Sequence, residues 1–158
     1  MQDTSVAILG AGSMGTAILS GMLSHGIKKE HIKATARKTE SAEQLAKKYG
    51  VTAYATDYQP NANSLAVEGA QIILLAVKPA NVIEVLKQIE PVIAENALVI
   101  SVAAGITTAT IEQRIVPTNM AERPKWLSIT FAASSVVIDQ SAFVINPIPS
   151  LLNTSYPR

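Results

Sequence analysis

The 158-residue sequence contains no cysteine. That absence excludes disulfide bonds, metal sites built on thiolates and a cysteine nucleophile, and it is compatible with a reducing compartment. Charge of one sign is not in excess either, because 13 lysine and arginine residues stand against 12 aspartate and glutamate residues. A chain with so little net charge lacks the positive field that attracts nucleic acids or anionic membranes. Any phosphate group that it binds must therefore be held by local features.

Long apolar runs and targeting signals are also lacking. No stretch approaches the about 18 apolar residues of a membrane span, and residues 1–5 have no basic segment of the kind that opens a secretory signal. We therefore expect a soluble, cytoplasmic protein with no membrane and no nucleic-acid partner. The length is that of one ordinary domain, which buries about two-thirds of the surface of its unfolded chain.

The most informative stretch lies near the N-terminus, where the apolar run Val6–Leu9 ends in a glycine-rich turn. Gly10, Gly12 and Gly15 form the pattern G-x-G-x-x-G between a predicted strand and a predicted helix, which is the context of a dinucleotide-binding fingerprint. Gly10 allows the tight turn, Gly12 lets the backbone approach a pyrophosphate, and Gly15 lets the helix pack closely on the strand. The first turn of the helix then directs free N–H groups and the positive end of its dipole at the phosphates.

Strand and helix patterns alternate from there to residue 116 and predict an α/β fold with a doubly wound parallel sheet, Rossmann-like. Continuous apolar runs are typical of strands buried on both faces. The predicted strands are Val6–Leu9, Ile32–Ala36, Val51–Tyr54, Ile72–Val77 and Ala97–Val102. Apolar residues at helical spacing, with Gly or Pro at the ends, predict the helices. The predicted helices are Ser13–His25, Glu40–Tyr49, at most a short one over Leu65–Gly69, one from Pro79 to before Pro91, and one from Thr107 or Thr108 to Ile115.

The first predicted helix has an apolar face made of Ala17, Ile18 and Met22, with Leu19 and Leu23 on its flank. Gly21 lies inside the same helix, where glycine lowers the helix propensity. We interpret Gly21 as a position of close packing.

The residues after the second strand indicate which nucleotide is favoured. A free ribose 2′-hydroxyl is usually met there by Asp or Glu, and a 2′-phosphate by Arg. This sequence has Arg37, Lys38 and Thr39 and no carboxylate at that strand end. Arg37 can bind a 2′-phosphate through a bidentate fork, and Lys38 adds a positive charge. The predicted cofactor is NADP(H); the alternative is that both cations are solvated loop charges.

Ligands of doubly wound sheets lie across the carboxyl ends of the strands. That rule gathers four separate segments into one predicted cofactor site. Its members are Gly10, Ala11, Gly12, Ser13, Met14 and Gly15, then Ala36, Arg37, Lys38 and Thr39, then Ala76, Val77, Lys78 and Pro79, and then Ala103, Ala104 and Gly105.

Four short motifs follow one another in the sequence: GAGSMG at 10–15, Asn63 followed by Ala66-Val67, LAVKP at 75–79 and SVAAGI at 101–106. In this order they resemble the N-terminal half of pyrroline-5-carboxylate reductase, the NADPH-dependent enzyme that closes proline synthesis. The last two motifs are much more specific than the glycine pattern, which many dinucleotide-binding proteins share. The resemblance covers roughly residues 4–116.

The resemblance implies an enzyme that reduces a small-molecule substrate, 1-pyrroline-5-carboxylate, to proline. It is also compatible with a homo-oligomer. It implies that Leu9 to Met14 wrap the pyrophosphate and that Arg37 and its neighbours bind the 2′-phosphate. Asn63 and Ala76 to Pro79 are then expected at the adenosine-ribose and diphosphate, and Ala103 to Gly105 near the nicotinamide. The residues alone give Asn63 no special status, because asparagine in a Pro/Asn-rich connection is typical of a turn. Lys78 can likewise be a strand-end charge, and Pro79 a helix starter.

The last part of the sequence departs from that family. The resemblance predicts a sixth strand carrying a Met-Pro-Asn-Thr-Pro-like word and then a helical, dimerising domain with the substrate site. Pro117, Thr118 and Asn119 match that word only in scrambled order. We therefore divide the chain into an NADP-binding domain, 1–116, and a divergent, irregular tail, 117–158, in which Phe131–Ile138 and Ala142–Ile145 could form strands. The hypothesis that fits is a truncated, frame-altered or otherwise diverged member.

No residue is assigned a catalytic role and no metal site is predicted. His25 and His31 flank a helix end and a strand start, and we interpret both as surface residues. Two alternatives stay open at this point. The chain is another NADP-dependent oxidoreductase, acting on imines or hydroxyacids, or it is a non-catalytic NADP(H)-binding module.

Overall fold

The computed structural model describes residues 4–94, 97–106, 110–111 and 128–130. Its strands are β1 (Val6–Leu9), β2 (Ile32–Ala36), β3 (Thr52–Ala55), β4 (Ile72–Leu75), β5 (Leu98–Ser101) and β6 (Ser128–Thr130). Its helices are α1 (Ser13–Ser24), α2 (Thr39–Tyr49), α3 (Ala62–Val67) and α4 (Pro79–Ile89). Short 3₁₀ turns, Lys29–His31 and Glu90–Val92, precede β2 and follow α4.

The six strands form one parallel sheet in the order β3-β2-β1-β4-β5-β6. This is the order of doubly wound dinucleotide-binding sheets, in which the chain reverses its direction of winding between β1 and β4. The predicted fold class is confirmed.

Strand β1 lies at the centre of the sheet and supplies two separate cores. Successive side chains of a strand point to opposite faces. Ala7 and Leu9 pack with residues of α3 and α4, whereas Val6 and Ile8 pack with residues of α1 and α2. Because helices cover both faces, every position of β1 is buried, and this explains why its sequence is apolar without alternation.

Several element boundaries differ from the prediction by one or two residues. Strands β1 and β2 and the start of α4 have the predicted bounds, whereas β3 is shifted by one residue. Strand β4 ends at Leu75 rather than Val77, although the Ala76 N–H still donates to the Leu9 carbonyl at 2.8 Å. Lys78 is extended, with φ −60° and ψ 145°, because a residue before proline avoids the helical region. Strand β5 likewise ends at Ser101.

The prediction for α3 is wrong in position. Helix α3 begins at Ala62, three residues before the predicted Leu65, and ends at Val67, ahead of Gly69 with its φ of +76°. Its small apolar residues Ala62 and Ala66 are fully buried. Asn63 is therefore a buried helical residue, and its interpretation as part of a turn is wrong.

The predicted packing face of α1 is right for Met22 and wrong for Ala17, and Leu19 lies at its centre rather than on its flank. The buried positions are Gly15, Leu19 and Met22, whereas Ala17 is exposed. The close contact of Gly15 with the sheet fixes the rotation of the helix, so residues four and seven positions later face the core. A Cβ added to Gly21 would meet nothing within 4 Å, so Gly21 does not serve close packing.

The parallel sheet continues beyond residue 116. Ser128, Ile129 and Thr130 pair with Val99, Ile100 and Ser101 of β5. The strands predicted at 131–138 and 142–145 lie outside the described residues, as does the predicted helix over 107–115 apart from Thr110 and Ile111, which are helical. Among the residues that the structure describes, no helix is long and apolar enough to cross a bilayer.

Candidate functional site

The carboxyl ends of the central strands are level with one another. Leu9 lies beside Thr35 on one side and Leu75 on the other, and Leu75 lies beside Ser101. Backbone hydrogen bonds link the chain just beyond this row to the neighbouring strands: Ala11 N–H to Thr35 O at 2.6 Å, Ala76 N–H to Leu9 O at 2.8 Å, and Val102 N–H to Leu75 O at 3.1 Å. The turns that follow these strands therefore start from one edge of the sheet.

Two glycines of the first turn are closely surrounded, and the fold requires glycine at the first of them. Gly10 has φ +82°, and a Cβ there would lie 2.5 Å from Val77 Cγ1. Both its conformation and its surroundings therefore exclude a larger residue. A Cβ on Gly15 would lie 3.1 Å from Gly10 O and 3.3 Å from Ala76 Cβ. The turn, the start of α1 and the end of β4 thus touch one another.

Gly12 differs from both. Its φ is −77°, and a Cβ there would meet nothing within 4 Å. Neither backbone conformation nor packing requires glycine at this position, which leaves room for another molecule to approach the backbone. Gly12 is the N-cap of α1 and supplies no side chain, and Ser13 and Met14 after it are exposed.

The N-terminus of α1 is open. Within the described part of the chain, the N–H groups of Ser13 and Met14 have no hydrogen-bond acceptor. Free N–H groups at a helix N-terminus carry the positive end of the helix dipole and are suited to phosphate oxygens. This is the geometry that the glycine pattern predicts.

The loop after β2 exposes two cations but also receives a carboxylate. Arg37, Lys38 and Thr39 are all exposed. Asp57, which follows β3, accepts hydrogen bonds from the Thr39 hydroxyl at 3.2 Å and from the Thr39 N–H at 3.4 Å. The Asp57 N–H donates to Arg37 O at 3.0 Å. The sequence of β2 and its loop contains no carboxylate, but the neighbouring strand brings one to the same place.

Two of the buried polar side chains connect to the glycine turn, and a third lies at the end of β5. Among the described residues, the buried polar or charged ones are Thr35, Asn63 and Ser101. Thr35 Oγ1 accepts the Gly10 N–H at 3.0 Å and donates to Asn63 Oδ1 at 2.9 Å, and Asn63 Nδ2 donates to Gln88 Oε1 at 2.7 Å. Ser101 Oγ accepts the N–H of Ala103 at 3.3 Å.

Sequence reasoning missed Thr35, Asp57 and Gln88. A polar residue near the carboxyl end of an apolar strand was the available signal for Thr35. The signal for Asp57 was its place directly after β3. Gln88 gave no signal, because only the packing of α4 on α3 brings it to the site.

The other predicted site residues lie where the chain leaves β4 and β5. Lys78 is exposed and Pro79 is the first residue of α4. Ala103 is buried, whereas Ala104 and Gly105 form an exposed turn in which Gly105 has φ +76°. Among the described residues, no group of three His, Asp or Glu side chains could hold a metal ion.

A parallel sheet in this strand order, with a glycine turn and an open helix N-terminus at its carboxyl edge, defines a dinucleotide-binding α/β domain. Comparison with known families identifies it further. Residues 5–105 match the family described as NADP oxidoreductase coenzyme F420-dependent, and the chain belongs to that family.

The resemblance to pyrroline-5-carboxylate reductases is confirmed. The chain is 34% identical over 113 residues to that reductase of Corynebacterium melassecola, which covers 70% of the chain and 40% of the relative. The reductase of Vibrio alginolyticus is 28% identical over 152 residues, covering 90% of the chain and 54% of the relative. This match takes in more of the chain than residues 1–116.

A solved structure agrees with these sequence matches. The pyrroline-5-carboxylate reductase of Coxiella burnetii superposes with a TM-score of 0.65 and 28% identity, over 72% of this chain and 40% of that one. The chain spans about half or less of the length of these relatives.

Proposed function

We propose that this chain binds NADP(H) along the carboxyl edge of its sheet. The observation that carries the proposal is the contrast between Gly12 and the other two glycines: a side chain is excluded at Gly10 and would be tightly packed at Gly15, whereas at Gly12 it would reach open space. The exposed, unpaired N–H groups of Ser13 and Met14 lie next to it. A pyrophosphate is the cofactor group that such a backbone cradle fits.

The remaining predicted residues are assigned along the same edge. Leu9 to Met14 bind the pyrophosphate, with Gly15 packing α1 against the sheet behind them, Arg37 to Thr39 bind the 2′-phosphate, and Ala76 to Pro79 bind the diphosphate and adjoining ribose. Ala103 to Gly105 lie on the side of β5, where the nicotinamide is expected. Asn63 is only 5% exposed and both atoms of its amide have protein partners, so a direct contact with ribose requires it to use its second N–H.

We further propose that the chain is the cofactor-binding part of a pyrroline-5-carboxylate reductase. When bound, NADPH supplies the hydride that reduces the C=N carbon of 1-pyrroline-5-carboxylate. The residues of this chain hold and orient the nucleotide at the exposed edge. No described residue is assigned the transfer of a proton to the ring nitrogen. The small-molecule substrate, a homo-oligomer and a cytoplasmic location belong to the same proposal.

The second candidate function is a non-catalytic NADP(H)-binding module. It needs only the nucleotide edge of the sheet, and among the described residues none is assigned a catalytic role.

Calorimetry and an assay together separate the two functions. NADPH and NADH are first titrated into the purified chain. The oxidation of NADPH in the presence of 1-pyrroline-5-carboxylate is then followed by absorbance. Binding with turnover supports the reductase, and binding without turnover supports the module. Absence of NADPH binding contradicts both.

A further inference from the structure

A continuous chain of hydrogen bonds links the glycine turn at residues 10–15 to Thr35, Asn63 and Gln88. Thr35 binds the turn twice, because its carbonyl accepts the Ala11 N–H at 2.6 Å and its hydroxyl accepts the Gly10 N–H at 3.0 Å. Thr35 is only 1% exposed. Water is therefore a poor substitute for this hydroxyl, and its loss would leave the Gly10 N–H without its partner.

The hydrogen bonds of this chain run in one consistent direction, from Gly10 N–H to Thr35 Oγ1, from Thr35 Oγ1 to Asn63 Oδ1 and from Asn63 Nδ2 to Gln88 Oε1. A threonine hydroxyl has a single hydrogen, and Thr35 donates it to Asn63 Oδ1 at 2.9 Å. The oxygen lone pairs are then left for Gly10. Asn63 presents its oxygen to Thr35 because its Nδ2 donates to Gln88 Oε1 at 2.7 Å. An amide turned the other way would place a donor against the Thr35 hydroxyl and an acceptor against the Gln88 oxygen.

The backbone of Gln88 is also bonded to α3. Gln88 lies near the end of α4, and its backbone carbonyl accepts the Ser64 hydroxyl at 2.8 Å. Helix α3 is thus attached to this residue of α4 through two successive side chains, Asn63 and Ser64. The arrangement connects α4 to the glycine turn across the interior of the protein.

We infer that Asn63 and Gln88 are positioning residues for the phosphate-binding turn, acting through Thr35. The inference depends on the proposed binding of NADP(H) at that turn. Polar networks in an interior cost free energy unless every member is satisfied, and a valine at 35 would fill almost the same volume. The polar chain contributes something that an apolar core would not: a defined orientation of the Gly10 peptide.

The test compares substitutions that remove one hydrogen bond with substitutions that keep it. Thr35→Val removes the hydroxyl at nearly constant volume, and Thr35→Ser retains it. Gln88→Met removes the acceptor for Asn63 while keeping the length of the side chain. Gln44→Met, on the exposed face of α2, is the matched control for Gln88→Met.

Two readouts are taken on each full-length variant: the Kd for NADPH, and the amide ¹H–¹⁵N shift and exchange rate of Gly10 without nucleotide. We expect Thr35→Val and Gln88→Met to weaken NADPH binding by about three- to tenfold, the effect of one lost hydrogen bond. Thr35→Ser and Gln44→Met stay close to the unsubstituted chain. The Gly10 amide shifts and exchanges faster in Thr35→Val and Gln88→Met alone.

Two outcomes would overturn the inference. The first is a folded Gln88→Met chain with an unchanged Gly10 amide. The second is a lowered Tm in these variants with an unchanged Kd for NADPH, which is the mark of a purely structural network. If Thr35→Val does not fold, Gln88→Met alone decides the question. Failure of the unsubstituted chain to bind NADPH refutes the proposed function, whereas the Gly10 amide still reports on the network.

Discussion

Gly10 and Gly12 lie two residues apart but have different surroundings. Alanine should therefore affect the free energy of unfolding differently at the two positions. Gly10→Ala forces a residue with a Cβ into φ +82°, 2.5 Å from Val77 Cγ1. We expect it to lower the free energy of unfolding by about 2 kcal/mol or more. Gly12→Ala places its methyl in open space, so its effect on stability should stay within about 1 kcal/mol.

Nucleotide binding should respond to the substitution at Gly12. The methyl of Gly12→Ala lies where a pyrophosphate would approach the backbone, and we expect the Kd for NADPH to rise by about tenfold or more. Urea unfolding and calorimetry measure the two quantities. A Gly12→Ala chain that binds NADPH normally would show that the pyrophosphate lies elsewhere.

In the proposed function, Arg37 is the residue assigned to the 2′-phosphate of the nucleotide. Arg37→Gln removes a charge-assisted, bidentate donor, so NADPH binding should weaken by about tenfold while NADH binding changes little. Lys47→Gln, at the far end of α2, removes the same charge from an exposed position and is the control. Equal losses for NADPH and NADH would contradict the assignment of Arg37 to the 2′-phosphate.

Asp57 should act against that preference. Its carboxylate accepts from Thr39 in the loop that carries Arg37, so it lies near the proposed phosphate and repels it. Asp57→Asn retains an oxygen for Thr39 and removes the charge, and we expect NADPH to bind about threefold more tightly at low salt. Glu30→Gln, at the other end of β2, is the control. Unchanged or weaker NADPH binding in Asp57→Asn would contradict this prediction.

At the scale of elements, Lys33 of strand β2 contacts the C-terminal end of the short helix α3. Lys33 of β2 donates from Nζ to the carbonyls of Leu65 at 3.2 Å and Glu68 at 2.9 Å, at the C-terminal end of α3. A cation there satisfies free carbonyls and complements the helix dipole. We expect Lys33→Met to lower the free energy of unfolding by about 1 kcal/mol in urea denaturation. An unchanged free energy of unfolding in Lys33→Met would show that Lys33 does not stabilise α3.

The elements that the sequence predicted well are those whose local residues are sufficient to determine the structure. Strand β1 is apolar throughout because two cores meet it, and Pro79 marks the start of α4 because proline fits a first helical turn. Helix α3 was misplaced because its polar residues Asn63 and Ser64 are bonded to Gln88 in the interior. The local sequence pattern predicts a loop for polar residues of this kind, because it carries no information about a hydrogen-bond partner far away in the sequence.

At the scale of the whole molecule, the parallel topology made the site predictable in outline. Once the strands run parallel, the segments after β1, β2, β4 and β5 must share one edge, and the structure places them there. Contacts between segments far apart in sequence could not be foreseen. The Asp57 carboxylate reaches Thr39 across 18 positions, and the Asn63 amide reaches Gln88 across 25.

The most direct test of the account is an NADPH titration followed by ¹H–¹⁵N correlation spectra of the ¹⁵N-labelled chain. The account predicts saturable shifts in the amides of Gly12, Ser13 and Met14, in the Arg37–Thr39 loop and in the Ala103–Gly105 turn. Amides at the opposite end of the sheet, such as Glu30 and Gly69, should not move. An absence of shifts, or shifts confined to that opposite end, would contradict the claim that the carboxyl edge binds NADP(H).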